Sequence, residues 1–134
     1  MRKRKLLVFA IVLIIEACTK EGDVSPVAVD DRDKFIGSWL CDEGSGTPFT
    51  IVISKLSGDE INIKNFSNYG DHGNAKCVVT DNSFVIFAQD FNDLPSVTDS
   101  VSGSGTYSKT GSTEKIKMIY RVNGVDYNNV NCMK

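Results

Sequence analysis

Glu114-Lys115-Ile116-Lys117-Met118-Ile119-Tyr120-Arg121-Val122-Asn123-Gly124 is the stretch on which the fold turns. Ile116, Met118 and Tyr120 alternate with Lys115, Lys117 and Arg121, a period of two. Strand side chains point alternately to opposite faces, so this pattern predicts a strand with one apolar and one charged face. Asn123-Gly124 follows at once. Both residues tolerate the positive φ that a two-residue hairpin demands, so the pair predicts a turn into a last strand over 125–133.

The same period runs back towards the start. Residues 36–42 read as a first strand. Residues 48–55 follow, with Phe49, Ile51 and Ile53 on one face. Ile61 and Ile63 alternate with Glu60, Asn62 and Lys64 over 60–66. Strands over 75–80 and 83–88 flank Asp81-Asn82, a tight-turn pair. The run Phe84 to Phe87 is apolar at every position, which predicts cover on both faces. Residues 100–108 carry Gly103 and Gly105, the mark of a bulge or a close approach of backbones. Residues 68–74 and 89–99, the latter with Pro95, read as loops, and 109–113 as a turn. No helix-period segment of ten residues occurs from Ile36 onward. Eight short strands with mostly hairpin-length connections predict an all-β domain, a small antiparallel up-and-down barrel or meander. A β-sandwich of Greek-key type is the alternative.

The chain has 134 residues, 41% hydrophobic and 24% charged, enough for one domain. Met1-Arg2-Lys3-Arg4-Lys5 precedes ten apolar residues, Leu6 to Ile15. A membrane span needs about 20 residues, so this predicts a removable signal peptide over 1–17. Residues 18–33, with Gly22 and Pro26, read as a tether, and 34–134 as the β-barrel domain. Residues 31–35 fit one helical turn capped by Asp30. Without Arg2, Lys3, Arg4, Lys5 and Glu16, 11 basic and 16 acidic residues remain, a net charge of about −5. No Lys/Arg cluster survives outside the signal. Nucleic-acid binding and a polybasic membrane patch are therefore disfavoured.

Ile15-Glu16-Ala17-Cys18 resembles a bacterial lipobox. The resemblance implies cleavage before Cys18, diacylglycerol on its thiol and acylation of its new amino group. Cys18 would then be a membrane anchor, durable because several acyl chains are buried. Thr19-Lys20-Glu21-Gly22-Asp23 resembles the surface-export signal of lipoproteins in some Gram-negative bacteria. The implied location is the outer membrane of a bacterial envelope, surface-exposed or periplasmic. Lys34-Phe35-Ile36-Gly37-Ser38-Trp39 contains the Gly-x-Trp that opens lipocalin barrels. In that family the Trp closes one end, often beneath an Arg from near the last strand, for which Arg121 is the candidate. Gly103-Ser104-Gly105-Thr106-Tyr107 and the late Cys132 are similar to small lipocalin-like lipoproteins. The implied function is a binding module for a small apolar ligand or a protein partner. The alternative is a structural or interaction lipoprotein without a ligand cavity.

Cys41, Cys77 and Cys132 remain in the exported domain, where an oxidising compartment favours pairing. Three thiols allow three pairings. Cys41–Cys132 is the expected one. The first and last strands become neighbours if the barrel closes, and Trp39 and Cys41 share a face, as do Val130 and Cys132. Cys77 is then expected to be a small buried hydrophobe beside Ala75 and Val79. His72 is the only histidine. It lies in a polar loop, and no nucleophile motif accompanies it. Acid pairs such as Asp42-Glu43 and Asp90/Asp93 sit at turns, and residues 30–33 lack calcium-loop spacing. The sequence assigns no catalytic residue, metal or cofactor, and leaves ligand-binding residues open.

Overall fold

The structure is a computed structural model and describes residues 27–44, 46–91 and 99–134. The signal over 1–17, Cys18, the export motif, most of the tether, Asp93 and Pro95 lie outside the described residues. Eight strands follow one another: β1 (Gly37–Asp42), β2 (Phe49–Lys55), β3 (Glu60–Lys64), β4 (Asn74–Thr80), β5 (Ser83–Asp90), β6 (Ser100–Thr110), β7 (Thr113–Val122) and β8 (Val125–Met133). Each pairs antiparallel with the next, and β8 returns to β1, closing the barrel. The up-and-down barrel expected from the strand pattern is what forms, and the sandwich alternative falls away.

Local chemistry explains the order. Val122 faces Val125 across the β7–β8 turn, where Asn123 and Gly124 take φ of 50° and 81°. Both signs are positive, as the tightest hairpins require. Asp81-Asn82 makes a second two-residue turn between Thr80 and Ser83. Phe66, expected in the third strand, instead opens a pair of 3-10 turns, 66–68 and 70–72, that cap the barrel. Asn65, Ser67 and Asn68 have positive φ there, which ends the extended run at Lys64.

The barrel interior is one apolar cluster fed by alternate residues of every strand. Trp39, Ile51, Ile61, Ile63, Ala75, Phe84 and Ile116 have no exposure at all. Space inside is fitted closely. Phe84 lies directly opposite Gly105, and a Cβ at Gly105 would sit 2.2 Å from its ring. At Gly103 a Cβ would fall 2.5 Å from the Ile119 carbonyl oxygen, the close approach of backbones anticipated there. A register shift between Ile86 and Gln89 marks a bulge in β5.

Two further expectations are corrected. The Phe84 to Phe87 run is not covered on both faces: Phe84 and Ile86 are buried, whereas Val85 and Phe87 are 43% and 63% exposed. A barrel of a single sheet has no second layer outside, so one parity of every strand meets solvent. Residues 30–33, read as tether, pack against the barrel. Asp33 N–H donates to Asp30 O at 2.9 Å and Phe35 N–H to Arg32 O at 2.9 Å. The Asp30 carboxylate accepts from Arg32 N–H at 3.0 Å, so Asp30 caps this turn as expected.

Closure is narrow. β1 and β8 share three register pairs, with Cys41 opposite Cys132 in the middle, and these two cysteines form a disulfide. It ties residues 91 apart in sequence. In the chain-entropy account a loop of that size stabilises by about 4–5 kcal/mol. Cys77 is free and buried, as expected.

Gly105→Ala is expected to cost about 1–3 kcal/mol, because the new methyl must displace the Phe84 ring. Ser104→Ala, on the outer face, is expected to stay within about 0.5 kcal/mol of the parent. Urea midpoints at unchanged slope check both.

Candidate functional site

The barrel has two chemically different ends. At the first, the turns β2–β3, β4–β5 and β6–β7 meet the segment that leads in from Val27. Asp30 organises it. Arg32 holds its carboxylate through Nε at 2.9 Å and Nη2 at 2.7 Å, and Lys55 Nζ adds a contact at 2.8 Å. Lys55 also pairs with Asp33 at 2.5 Å, and Arg32 Nη1 donates to the Leu56 carbonyl at 2.9 Å. Lys34 Nζ reaches the β4–β5 turn, donating to Asp81 O at 3.0 Å and Asn82 Oδ1 at 2.9 Å. The Arg32 and Lys55 hydrogen bonds hold the Asp30 carboxyl far below the usual carboxylate range. Four anchor points thus fix where the chain enters the domain.

Beneath this clamp the end is closed by aromatic rings. Phe35 packs edge-on against Phe84 at 5.5 Å and Tyr107 at 5.8 Å, and Trp39 meets Tyr107 at 6.3 Å. Trp39 Nε1–H donates to the Phe35 carbonyl at 2.7 Å, which satisfies its one polar atom. The cation over Trp39 is Lys134, not Arg121. Lys134 Nζ lies 5.1 Å from the ring centroid and donates to Ile36 O at 2.7 Å. Arg121 is on the outer wall, paired with Asp126 at 2.6 Å. Parity explains the correction. Val130 and Cys132 point inward, and Lys134 continues that set, whereas Arg121 belongs to the outward set of β7. Gly37 has φ 118°, and the Lys134 side chain lies 3.3 Å from where its Cβ would be. A side chain there would be strained and would crowd the lysine.

The opposite, loop-bearing end has its own ring cluster. Phe66 packs on Phe91 at 6.0 Å and Tyr120 at 4.6 Å, and Tyr120 stacks on Tyr127 at 5.0 Å. The Tyr120 hydroxyl donates to the Glu43 carboxylate, which also accepts from Ser67 Oγ at 3.3 Å. Burial, then the Glu43 carboxylate, pushes the Tyr120 hydroxyl well above its ordinary value. These contacts bind three loops together. Asn123 adds a fourth, receiving Ser100 N–H on its side-chain oxygen at 3.0 Å and donating to Asp99.

Between the two plugs the barrel is solid. The apolar side chains of the core cluster are between 0 and 7% exposed, with Tyr107 and Tyr127 partly buried against it. A ligand chamber would leave its walls open to a water-sized sphere, and these walls offer almost none. The depressions among the described residues lie on the outside. One, about 470 Å³, is polar and sits beside Asp30, Arg32 and Asp81. One of about 230 Å³ lies over the β1–β8 seam between Leu40, Pro48 and Met133. Another of about 230 Å³ lies against Phe87, Val78 and Lys76, where Gln89 bridges the bulge through Lys76 N–H and C=O.

His72 is exposed on the second 3-10 turn. No group of three or more His, Cys, Asp or Glu among the described residues is arranged to hold a metal ion. Burial raises the Cys77 thiol well above its ordinary value, so it is inert in the folded state. No helix among the described residues is long and apolar enough to cross a membrane. Sequence reasoning missed three features: the Asp30–Lys55 clamp, the Lys134 cap and the exposure of Phe87. The last two were signalled by parity, since Phe87 shares a face with Val85 and Lys134 with Cys132. The clamp was not, because its partners are 25 residues apart. Comparison with protein-family models, curated proteins and solved structures returns no match for this chain.

Asp30→Asn should detach the entry segment, raising hydrogen exchange at the Phe35 amide. The Asp30 carboxyl is lowered in the folded state, so its contribution is complete above the unfolded value of about 4 and fades as pH falls through the folded one. The difference between parent and variant is therefore expected to be constant from pH 5 to 7 and to shrink below about pH 4. A difference that grew on acidification would refute the clamp.

Proposed function

We propose that this chain is a lipid-anchored protein of a bacterial cell envelope whose barrel is a solid head for binding a protein partner. One observation carries the choice of partner over small ligand: the inward faces of the barrel have almost no accessible surface. A pocket for a small apolar molecule needs a few hundred cubic ångströms of lined space. The apolar surface this head does offer is outside. Phe87 and Val85 stand on β5, and Leu40 and Met133 stand over the seam, all more than 40% exposed.

The anchor reading rests on the lipobox-like Ile15-Glu16-Ala17-Cys18. The Cys41–Cys132 bridge supports an oxidising compartment. On this reading the clamp sets which end of the head the tether meets. Nine residue steps separate Cys18 from Val27, a reach of roughly 30 Å at most. The leash enters beside Asp30, so the end carrying the β2–β3, β4–β5 and β6–β7 turns faces the membrane. The ring-plugged loop end, with Tyr69, His72 and Glu43, points away. The outer membrane is the proposed site, at its periplasmic or outer surface. The reading is of a binding protein and not a catalyst.

Labelled palmitate incorporation is expected in the wild-type chain and absent in Cys18→Ala. Equal labelling of the two would remove the anchor. A fluorescent apolar probe at micromolar concentration is expected to show no uptake by the chain. Saturable uptake, lost on Trp39→Ala and retained in Phe87→Ser, would restore the internal-ligand reading.

A further inference from the structure

The β1–β8 junction differs from every other junction in the barrel. Seven junctions join consecutive strands and are backed by a connecting loop; this one joins the first strand to the last. It has three register pairs, Leu40–Met133, Cys41–Cys132 and Asp42–Asn131. On their other sides β1 pairs with β2 at five positions and β8 with β7 at eight. β4 and β5 also share only three pairs, but a two-residue turn joins them and the Gln89 side chain makes two hydrogen bonds to the Lys76 backbone. Among the described residues the seam is also tied by the disulfide and by Lys134, whose ammonium holds Ile36 O and lies over the Trp39 ring. β8 bends just before it reaches the seam, through an irregularity in its pairing with β7. The β7–β8 register slips between Met118 and Ile119, opposite Asn129 with φ 76°, and the seam pairs start beyond it at Asn131.

We propose that the Cys41–Cys132 bridge is a redox-operated clasp: a dithiol reductant opens the barrel at the β1–β8 seam while the other seven junctions stay paired. The inference stands on the fold and does not depend on the lipid anchor. A thiolate of the reductant attacks one bridge sulfur, forming a mixed disulfide. The other cysteine leaves as a thiolate and takes a proton. The second thiol of the reductant then attacks the mixed disulfide and releases the second cysteine. The bridge gains two electrons and two protons, and the reductant ends as its own disulfide. The sulfurs are buried, so attack passes through local opening at the shallow depression between Leu40, Asn131 and Met133. Once free, β1 and β8 remain held by β2 and β7 and become two sheet edges with unpaired backbone groups.

Hydrogen exchange read by mass spectrometry on the full chain tests this, with dithiothreitol as the reductant. Peptides covering 37–42 and 125–133 are expected to exchange at least tenfold faster after reduction. Those covering 60–64, 74–80 and 100–110 should change less than twofold, and reoxidation should restore the first set. Uniform acceleration in all strands, or none, would overturn the proposal. A Cys41→Ser/Cys132→Ser variant should show the same selective pattern with its far-ultraviolet β-sheet signal retained. Loss of that signal would mean that the bridge is needed for folding itself, which also overturns a reversible clasp. Cys77→Ser should behave as the parent does.

Discussion

A twisted sheet of eight strands has two raw edges, and the shape of this molecule depends on their meeting. Each edge carries backbone N–H and C=O groups that must find partners. Here they find one another over only three residue pairs, with a covalent bridge at the middle pair. Once the edges join, every strand has a defined inner face. The inward parity of each is then forced to be apolar and correctly sized. Gly105 exists to receive Phe84, and Gly37 to let Lys134 lie across Trp39. The bridge, the glycines and the lysine cap serve one geometric condition.

The two ends divide the remaining work. The turn end is built of charges between segments distant in sequence, chiefly Asp30 with Arg32 and Lys55. Such exposed pairs add little stability singly, but several on one short segment fix its direction. The loop end is built of rings and of a carboxylate shared by Tyr120 and Ser67. It holds three loops in register and does not frame an entrance. A filled interior between two plugs leaves the exposed chemistry of the domain on its wall and loops. An eight-stranded barrel is narrow enough for side chains alone to fill it, and this one is filled by Ile, Phe and Trp.

Most of the architecture was legible because it is local. The alternation over 114–122 and the Asn123-Gly124 turn state a hairpin by themselves, and repeating that reading seven times gives the barrel. The bridge was legible by one further step, since the first and last strands of a closed sheet are neighbours. What escaped was long-range or hidden by composition. The Arg121 expectation failed because its parity points outward, although its place near the last strand is suitable. The Phe84 to Phe87 run misled because apolar residues on both faces do not reveal which face is bare. The Asp30–Lys55 contact had no sequence signal, as neither residue is unusual in type or spacing. The proposed anchor at Cys18 is a matter of motif and not of fold.

Cys77 is enclosed by the barrel wall with 1% of its surface exposed, and its thiol is held in the protonated form by that enclosure. An alkylating reagent in the surrounding solution reaches it only when the wall parts. With Cys41 and Cys132 locked to each other, label taken up at Cys77 is a built-in stopwatch for the breathing of the barrel. The rate at which one label is acquired counts how often the inside meets water.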